Sequence, residues 1–551
     1  MSSSNYLARL VIHADRELPE PIVLRAEGRE AIGKPGELRI EISLPPEDED
    51  AEEPRNPESW LGARAELVIE RVLGDGTAED ARRIHGVITA VDEGLENAGA
   101  GRNIYAVELS PRFAMLDNVI VQDVYVGSSV PAILRDKLAA AGLTEGTDFE
   151  LRLADEKIYA DALGDGRAGD GAKAPVDPEP RLVIQYKESD RAFLSRLCEH
   201  VGISYFFEHD DGCDKLVFTD QPSGFGAPQA YPFRTGAGKR GIEVLRRRYR
   251  AVPTIFFEQD YNYRAPDQEF SDHQSGETVF DTIGARAELD AQLPGAVIEY
   301  APNAKTAREA QMLARVRADE AEAKRDRFHL LGDHAAIAPG HRLTLADHPK
   351  IADDLELLCV ETTWSFSTPD AFGATADRPA RYTVEGSAVI ASKKSEADGR
   401  IVPYRPARTT PRPRIHGIVT GTVQPFPGTA GRLQNLDHEG RYVVRFHFDQ
   451  GTRRMPRIRM AQPHAGTDYG MHFPLHPGVE VAVAFLDGDP DRPVIVGAIP
   501  NPLTNSPVYV PRADAPEEVL ATLVELNRIK TKSGVVIEIG DSITSVDTSI
   551  L

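Results

Sequence analysis

Residues 527–551 alternate apolar and polar positions in runs too short to fold alone. Ile529, Thr531 and Ser533 lead to a turn at Gly534. Val535, Ile537 and Ile539 lead to a second turn near Gly540 and Asp541, and Ile543 and Val546 follow. Period-two alternation punctuated by glycine is the signature of strands. This pattern constrains the fold most, because a ladder of strands this short is marginal in water and its edges offer unpaired backbone groups. Pairing with copies of itself, in an interwoven β-prism that buries alternate apolar residues on its axis, meets both needs. A strand docked on its own barrel, or an end without fixed structure, are the other readings of the same residues.

A chain of 551 residues has room for about three or four domains. Its 41% hydrophobic and 27% charged residues are ordinary for a soluble globular protein, and no run approaches the ~18 apolar residues of a membrane span. The first residues, Met1 to Glu20, lack a basic stretch followed by an apolar one, so synthesis in a cytoplasm without a signal peptide is expected. Cys198, Cys213 and Cys359 are scattered, with no CxxC pair, which fits a reducing compartment. The net charge of -23 argues against a general nucleic-acid binder, which needs a basic surface. Between Pro411 and Pro500 there are ten Arg, no Lys and eight Asp or Glu, a balance of +2, so this span reads as a separate unit.

Strand-like alternation opens the chain at Tyr6, Ala8, Leu10 and Ile12 and recurs around Ile40. The acidic run Glu47 to Glu53 reads as a solvated loop. Val130 to Gly142 has helical spacing and ends at a glycine. Residues 163–180 are rich in Gly, Pro and Asp and read as a flexible insertion. A strand and a helix follow, the helix capped at Ser189 or Asp190 with Phe193, Leu194 and Leu197 on one side and a stop near Gly202; a hairpin comes next. Lys305 to Arg327 predicts a long helix with Ala, Leu and Val on one face and mixed charge on the other. Five short strands between Arg414 and Asn501, divided by Gly, Pro and Asp turns, suit a small closed barrel of the oligonucleotide/oligosaccharide-binding (OB) type.

Three strings resemble the VgrG family, the tip proteins of type VI secretion systems. Gln185, Tyr186, Lys187, Glu188, Ser189 and Asp190, followed by Phe193, Leu194, Arg196 and Leu197 and by Gly202 to His209, look like its hub signature. Gly440, Arg441 and Phe446, then Gly470, Gly478 and the run Asp487, Gly488, Asp489, Pro490, Asp491, look like its OB signature. Ile529 to Gly534 resembles the entry into its β-helix. The matches keep one order from about Tyr6 to the end. Departures are Phe448 where the family often has Trp, Leu475-His476-Pro477 where it often has Pro-Arg before the glycine, and the insertion before Leu182.

The resemblance implies a mainly β chain with an α+β hub: tandem barrel-like hub domains, an OB-fold barrel and the start of a trimeric β-helix or β-prism. The boundaries expected are hub domain I at 1–162, the insertion at 163–180, hub domain II at 181–392, a linker at 393–413, the barrel at 414–501, a linker at 502–526 and the needle at 527–551. Needle contacts are expected at Ile529, Gly534, Val535, Ile537 and Ile539. The implied function is a structural, homotrimeric puncturing spike of a contractile type VI secretion machine. It would dock on a hexameric Hcp-like tube protein, assemble with baseplate proteins, take a PAAR-type tip cap and be ejected carrying effector cargo. A spike of an extracellular contractile injection particle or phage-like tail is the alternative.

Enzyme and binding readings are weaker. The phage relative of the family carries a lysozyme domain between barrel and needle, but Asn501 to Leu526 leaves too few residues for one. Asp487, Asp489 and Asp491 could bind a metal or do acid/base chemistry, yet Gly and Pro between them read as a turn. His438, His447, His464, His472 and His476 show no zinc spacing. Ser189 lacks a GxSxG context. Tyr442, Phe446 and Phe448 beside Arg453, Arg454, Arg457 and Arg459 could stack bases, but alternation turns the aromatics into a barrel interior. No catalytic, cofactor or metal residue and no nucleic-acid partner is therefore expected.

Overall fold

A computed structural model describes residues 5–14, 18–46, 55–72, 78–94, 103–163, 181–209, 212–234, 241–263, 283–289, 294–368, 380–394, 399–426, 436–437, 439–449, 451, 455–507, 526–540 and 548–550. The expected acidic loop, nearly all of the insertion, His438, Arg453, Arg454, Ile543 and Val546 lie outside the described residues. The chain forms two compact units, one of residues 1–121, 127–181 and 187–412, the other of residues 122–126, 182–186 and 413–551.

The first unit is organised by a twelve-stranded sheet. Its path runs Asn5–His13, Arg64–Val72, Ala78–Glu93, Asn103–Ser110, Lys34–Leu44, Ile22–Ala31, Leu357–Ser367, Arg381–Ile390, Asp326–Gly332, Ile242–Tyr249, with Gly226–Pro232 and His341–Ala346 joined beside it. Alternation sorts the faces: Leu38, Ile40 and Ile42 are buried while Glu37 and Arg39 face out. Both expected hub segments contribute strands to this one sheet, and both fall in one compact unit. Their joint is the antiparallel pairing of Ile22–Ala31 with Leu357–Ser367, where Gly28 stands opposite Trp364. Pairing there removes an open edge from each segment.

The joint carries a buried polar brace. Arg82 donates to both oxygens of Glu30 at 2.7 Å, and Trp364 Nε1 donates to Glu30 Oε2 at 2.7 Å. Trp364 stacks on Tyr382 with 5.9 Å between ring centres. Gly28 makes room for this, because a Cβ there would meet the Trp364 ring at 2.4 Å.

Four α-helices occur among the described residues: α1 (Val130–Ala140), α2 (Glu156–Leu163), α3 (Asp190–Val201) and α4 (Ala307–Arg325). Ser129, Ser189 and Thr306 cap α1, α3 and α4 through side-chain oxygens, satisfying backbone N–H groups the helix start leaves open. Gly202 ends α3 in the left-handed region at φ 78°, the usual glycine stop. The short α2 was not anticipated, since its eight residues border the Gly/Asp-rich stretch.

The charged face of α4 is buried rather than solvated. Glu309, Arg317, Asp319, Glu320 and Glu322 are all under a tenth exposed. Arg317 lies near Glu258 and Glu299, Asp319 takes Arg400 at 2.6 Å, and Glu322 takes Lys393 and Arg325. The Ala face, with Ala314, Ala318 and Ala321, packs on Phe256 and Ala287 of a small three-stranded sheet. Ion pairing and hydrogen bonding are what make such buried charge tolerable.

The second unit holds a five-stranded barrel of Arg457–Arg459, Arg441–Phe446, Ile418–Val423, Glu480–Phe485 and Pro493–Ile499 in that order. A parallel bridge between Met460 and Ile495 closes it. Val423, Tyr442, Val444, Phe446, Ile458, Val481, Val483 and Ile495 fill the interior. Two short segments from much earlier in the chain complete it. Residues 122–126 and 182–186, parts of the paired strands Ile120–Val126 and Leu182–Ser189, belong to this unit, and Val124 and Ile184 sit in its core beside Ile415. The expected boundaries placed both segments in the hub domains.

Candidate functional site

The hub-signature residues divide between the two units. Gln185 is fully buried in the second unit, and Tyr186 meets Phe448 edge-on at 5.6 Å. Glu188 onward belongs to the first unit and braces the start of α3. The Arg196 guanidinium donates to the Glu188 carboxylate at 2.8 to 3.0 Å, with both side chains under a tenth exposed. The same guanidinium lies 5.0 Å over the Phe193 ring. Lys137 of α1 donates to Asp190 at 2.7 Å. Ser189 Oγ accepts the Ala192 N–H at 3.1 Å and donates to Asp117 at 2.9 Å. Asp190 also sits where the helix dipole favours a carboxylate. Leu197 packs beneath at 6% exposure. Ser189 is thus a cap, engaged on both sides.

The barrel-signature residues build two turns. Gly440 takes φ 73°, which lets the chain reverse before Arg441. Asp437 then accepts the Arg441 N–H at 2.9 Å and its Nε at 2.7 Å, while the Glu439 N–H adds 3.0 Å. Arg441 is completely buried. Asp437 was missed in the sequence; its signal was an Asp four residues before an Arg across a glycine turn. Gly478 turns at φ 90° and donates its N–H to Val423. In the second turn Asp487 and Gly488 both have positive φ, Asp489 accepts the Asp491 N–H at 3.0 Å, and Asp491 accepts the Ile184 N–H at 2.7 Å. Pro490 lies between these two carboxylates. Gly488 O accepts from Ile415 N at 2.8 Å, and Arg414 reaches Asp487 at 3.0 to 3.2 Å. The aspartates therefore serve as turn and anchor groups.

The tail forms a three-stranded antiparallel sheet of Leu526–Lys530, Val536–Gly540 and Thr548–Ile550. Its strands hydrogen-bond to one another within the chain, as a ladder of short strands does, and Leu526–Lys530 and Thr548–Ile550 form its two outer edges. Gly534 at φ 94° and the Thr531 hydroxyl, which accepts the Val535 N–H at 3.0 Å, make the turn. Ile529 stands opposite Ile537, and Asn527 opposite Ile539, so these residues share a face. That face is open: Ile529 is 43%, Ile537 37% and Ile539 47% exposed, and Val535 beside it 49%. The opposite face carries half-buried Leu526, Arg528, Val536 and Glu538, with Arg528 and Glu538 paired.

The groups weighed for chemistry do not converge. Among the described residues, no three His, Cys, Asp or Glu side chains are placed to hold a metal ion. His447 is engaged with Thr420 and Thr422, His464 lies against the Tyr469 ring, and His472 is 3.4 Å from Gln462. Burial and Lys532 lower the pKa of His476. Tyr442 and Phe446 are buried in the barrel, with Phe448 stacked on Phe446 at 5.0 Å, so these rings offer no surface platform. Arg457 sits 4.8 Å over Phe426 and near Asp437. In the hub, burial and Glu299 push the Glu258 carboxyl up, while Arg408 and Arg317 hold Glu299 down against its own burial.

Comparison with known proteins finds the same division. The phage tail baseplate hub (GPD) family matches residues 29–369, and the type VI secretion system/phage-baseplate injector OB domain matches residues 428–499. The type VI secretion system spike protein VgrG1b of Pseudomonas aeruginosa is 28% identical over 88% of this chain and 59% of its own length. Spike protein VgrG1c of the same organism is 27% identical over 91% of this chain and 63% of its own. The chain thus spans about three fifths of these relatives. Among solved structures, the E. coli c3393 protein, a component of the type VI secretion system with structural similarity to T4 bacteriophage tail proteins gp27 and gp5, shares the fold. Its TM-score is 0.57 at 20% identity, covering 89% of this chain and 99% of that one.

Proposed function

We propose, from the premise that this chain belongs to the phage tail baseplate hub (GPD) family, that it is the homotrimeric hub and spike of a contractile type VI secretion machine. The observation that carries the reading is the open isoleucine face of the tail, Ile529, Ile537 and Ile539. An apolar sheet face of this kind is stable once it is covered, and two further copies of the same face cover it on a common axis. Gly534 and Val535 lie at the turn that begins this needle.

Two hub segments per chain, joined in one sheet, make six in a trimer, which would match a hexameric Hcp-like tube. Baseplate proteins would hold the hub, a PAAR-type cap would close the tip, and effector cargo would ride on either. The chain would be made in the cytoplasm, assembled on the baseplate and ejected with the tube. The work is mechanical: axial load is shared among many backbone hydrogen bonds of a stacked ladder, and no substrate is turned over.

Mass measurement in solution tests the reading, on the full chain and on one cut after Ala521. A trimeric full chain is expected, and a monomeric one at micromolar concentration would sink the proposal. A cut chain that stays trimeric would move the assembly contacts into the hub.

A further inference from the structure

The strand Ile242–Tyr249 ends the twelve-stranded sheet and pairs with Asp326–Gly332 on one side. Its first residue is capped on the other side, where Phe233 bridges Ile242 and the Arg234 N–H donates to the Ile242 carbonyl at 2.8 Å. From Val244 to Tyr249, no strand pairs with the outer edge among the described residues.

This open edge is strongly basic. Arg246, Arg247, Arg248, Tyr249 and Arg250 are exposed in succession, a local reversal of sign in a chain of net charge -23. Arg247 is engaged, donating to Asp326 at 2.8 Å and lying 4.8 Å over the Tyr249 ring. Arg246, Arg248 and Arg250 have no side-chain partner among the described residues. Arg248 stands directly opposite Arg327 in the pairing, and Arg246 opposite His329. Like charges placed directly opposite destabilise a sheet, and no ion pair of Arg327 relieves this one among the described residues. Charge on an edge strand deters indiscriminate pairing. A positive edge also selects what can add to it: a strand bearing carboxylates gains backbone hydrogen bonds and neutralises the repulsion together.

We propose that this edge docks an extended, carboxylate-rich segment of a partner protein, added as a further strand whose acidic side chains meet Arg246, Arg248 and Arg250. A nucleic-acid strand would meet the same cations, but it cannot extend a backbone ladder and would find one exposed ring, Tyr249, to stack on. The inference is independent of the spike reading, since it rests on the hub edge and not on the tail.

The test titrates a labelled peptide of alternating glutamate and valine into the full chain and follows anisotropy. A lysine–valine peptide, a glutamate–valine peptide N-methylated at alternate amides, and single-stranded DNA of equal charge run beside it. The glutamate peptide binds in a salt-sensitive manner, and N-methylation abolishes binding. Arg246→Glu with Arg248→Glu weakens the glutamate peptide about tenfold and turns the preference to the lysine peptide. Arg246→Gln with Arg248→Gln, a milder change, weakens the first without gaining the second. Undiminished glutamate-peptide binding by the charge-reversed chain overturns the proposal. So does unimpaired binding of the N-methylated peptide, or tighter binding of DNA than of peptide. The solution mass of each variant separates lost docking from lost assembly.

Discussion

The carboxylate of Asp491 accepts the backbone N–H of Ile184 at 2.7 Å, across 307 residues of sequence. A turn late in the chain thereby holds an early strand against the barrel core. Asp491→Ala removes that buried carboxylate acceptor from the Ile184 N–H, at a cost of about 1–3 kcal/mol. Asp491→Asn keeps an acceptor and costs less. Amide hydrogen exchange at Ile184 reads the difference: it accelerates in the alanine variant, and unchanged exchange would refute the anchor.

Asp437 and Arg441 form a buried pair in which the arginine has no exposed surface. Asp437→Ala takes the nearest carboxylate from a guanidinium with no exposed surface and leaves it Glu439 at 3.3 Å, which destabilises by about 3 kcal/mol. Adding Arg441→Met recovers much of the loss, because an apolar side chain tolerates the site. Urea unfolding of the single and double variants checks this, and a double variant as weak as the single one contradicts it.

Gly28 lies against Trp364, one of two tryptophans in the chain. Gly28→Ala drives a methyl group into the indole and strains the joint by about 1–3 kcal/mol. Tryptophan fluorescence and the melting temperature report it. Trp364→Leu in the alanine background restores part of the loss, since the clash is with the ring itself.

His209 Nδ1 accepts the His85 N–H at 3.1 Å. Burial, reinforced by Arg82, pushes its pKa down to about 3. A histidine depressed in the folded state binds fewer protons there than in the unfolded chain, so its contribution is full above about pH 6.5. It is lost as pH falls toward 3, by up to about 1.4 kcal/mol per pH unit. His209→Gln, which keeps an acceptor, flattens this dependence. Urea midpoints near pH 7.5 and near pH 5.5 should differ less in the variant than in the parent chain; equal differences would dismiss His209 as the acid-sensitive group.

Ile537→Asp places a charge on the open tail face. The hub and barrel keep their unfolding profile, because that face is uncovered within one chain. Assembly suffers, since covering an isoleucine is worth about 1.5–3 kcal/mol and a carboxylate there must be desolvated. Under the proposed trimer, sedimentation of the variant at a concentration where the parent chain assembles should give smaller species; an unchanged mass would locate assembly elsewhere.

The parts legible in the sequence are those fixed by local chemistry. Ser189 and Gly202 bound α3 because a hydroxyl caps N–H groups and glycine tolerates a positive φ. Tyr442, Phe446 and Phe448 read as barrel interior from period-two alternation; Tyr442 and Phe446 lie in that core and Phe448 packs against it. The aspartates of 487–491 read as a turn and make one. The two faces of α4 were legible, but periodicity, which separates apolar from charged positions, does not reveal that Arg400 and Lys393 arrive to pair with the charged one. The tail was read as a ladder of short strands with open edges; Leu526–Lys530 does pair with Val536–Gly540, and what the described residues leave open is the isoleucine face together with the outer edges of Leu526–Lys530 and Thr548–Ile550.

By itself the sequence determined most element types, the separate barrel unit and the strand ladder of the tail, because alternation, capping and glycine turns act over a few neighbouring residues. Tertiary structure alone decided that Ile22–Ala31 joins Leu357–Ser367 in one sheet, that residues 122–126 and 182–186 complete a barrel begun three hundred residues later or less, and that Ile242–Tyr249 is left as a basic edge. These are pairings between segments far apart in the chain. Their partners are chosen by which faces and edges remain open once every local element has formed, and no local pattern records that.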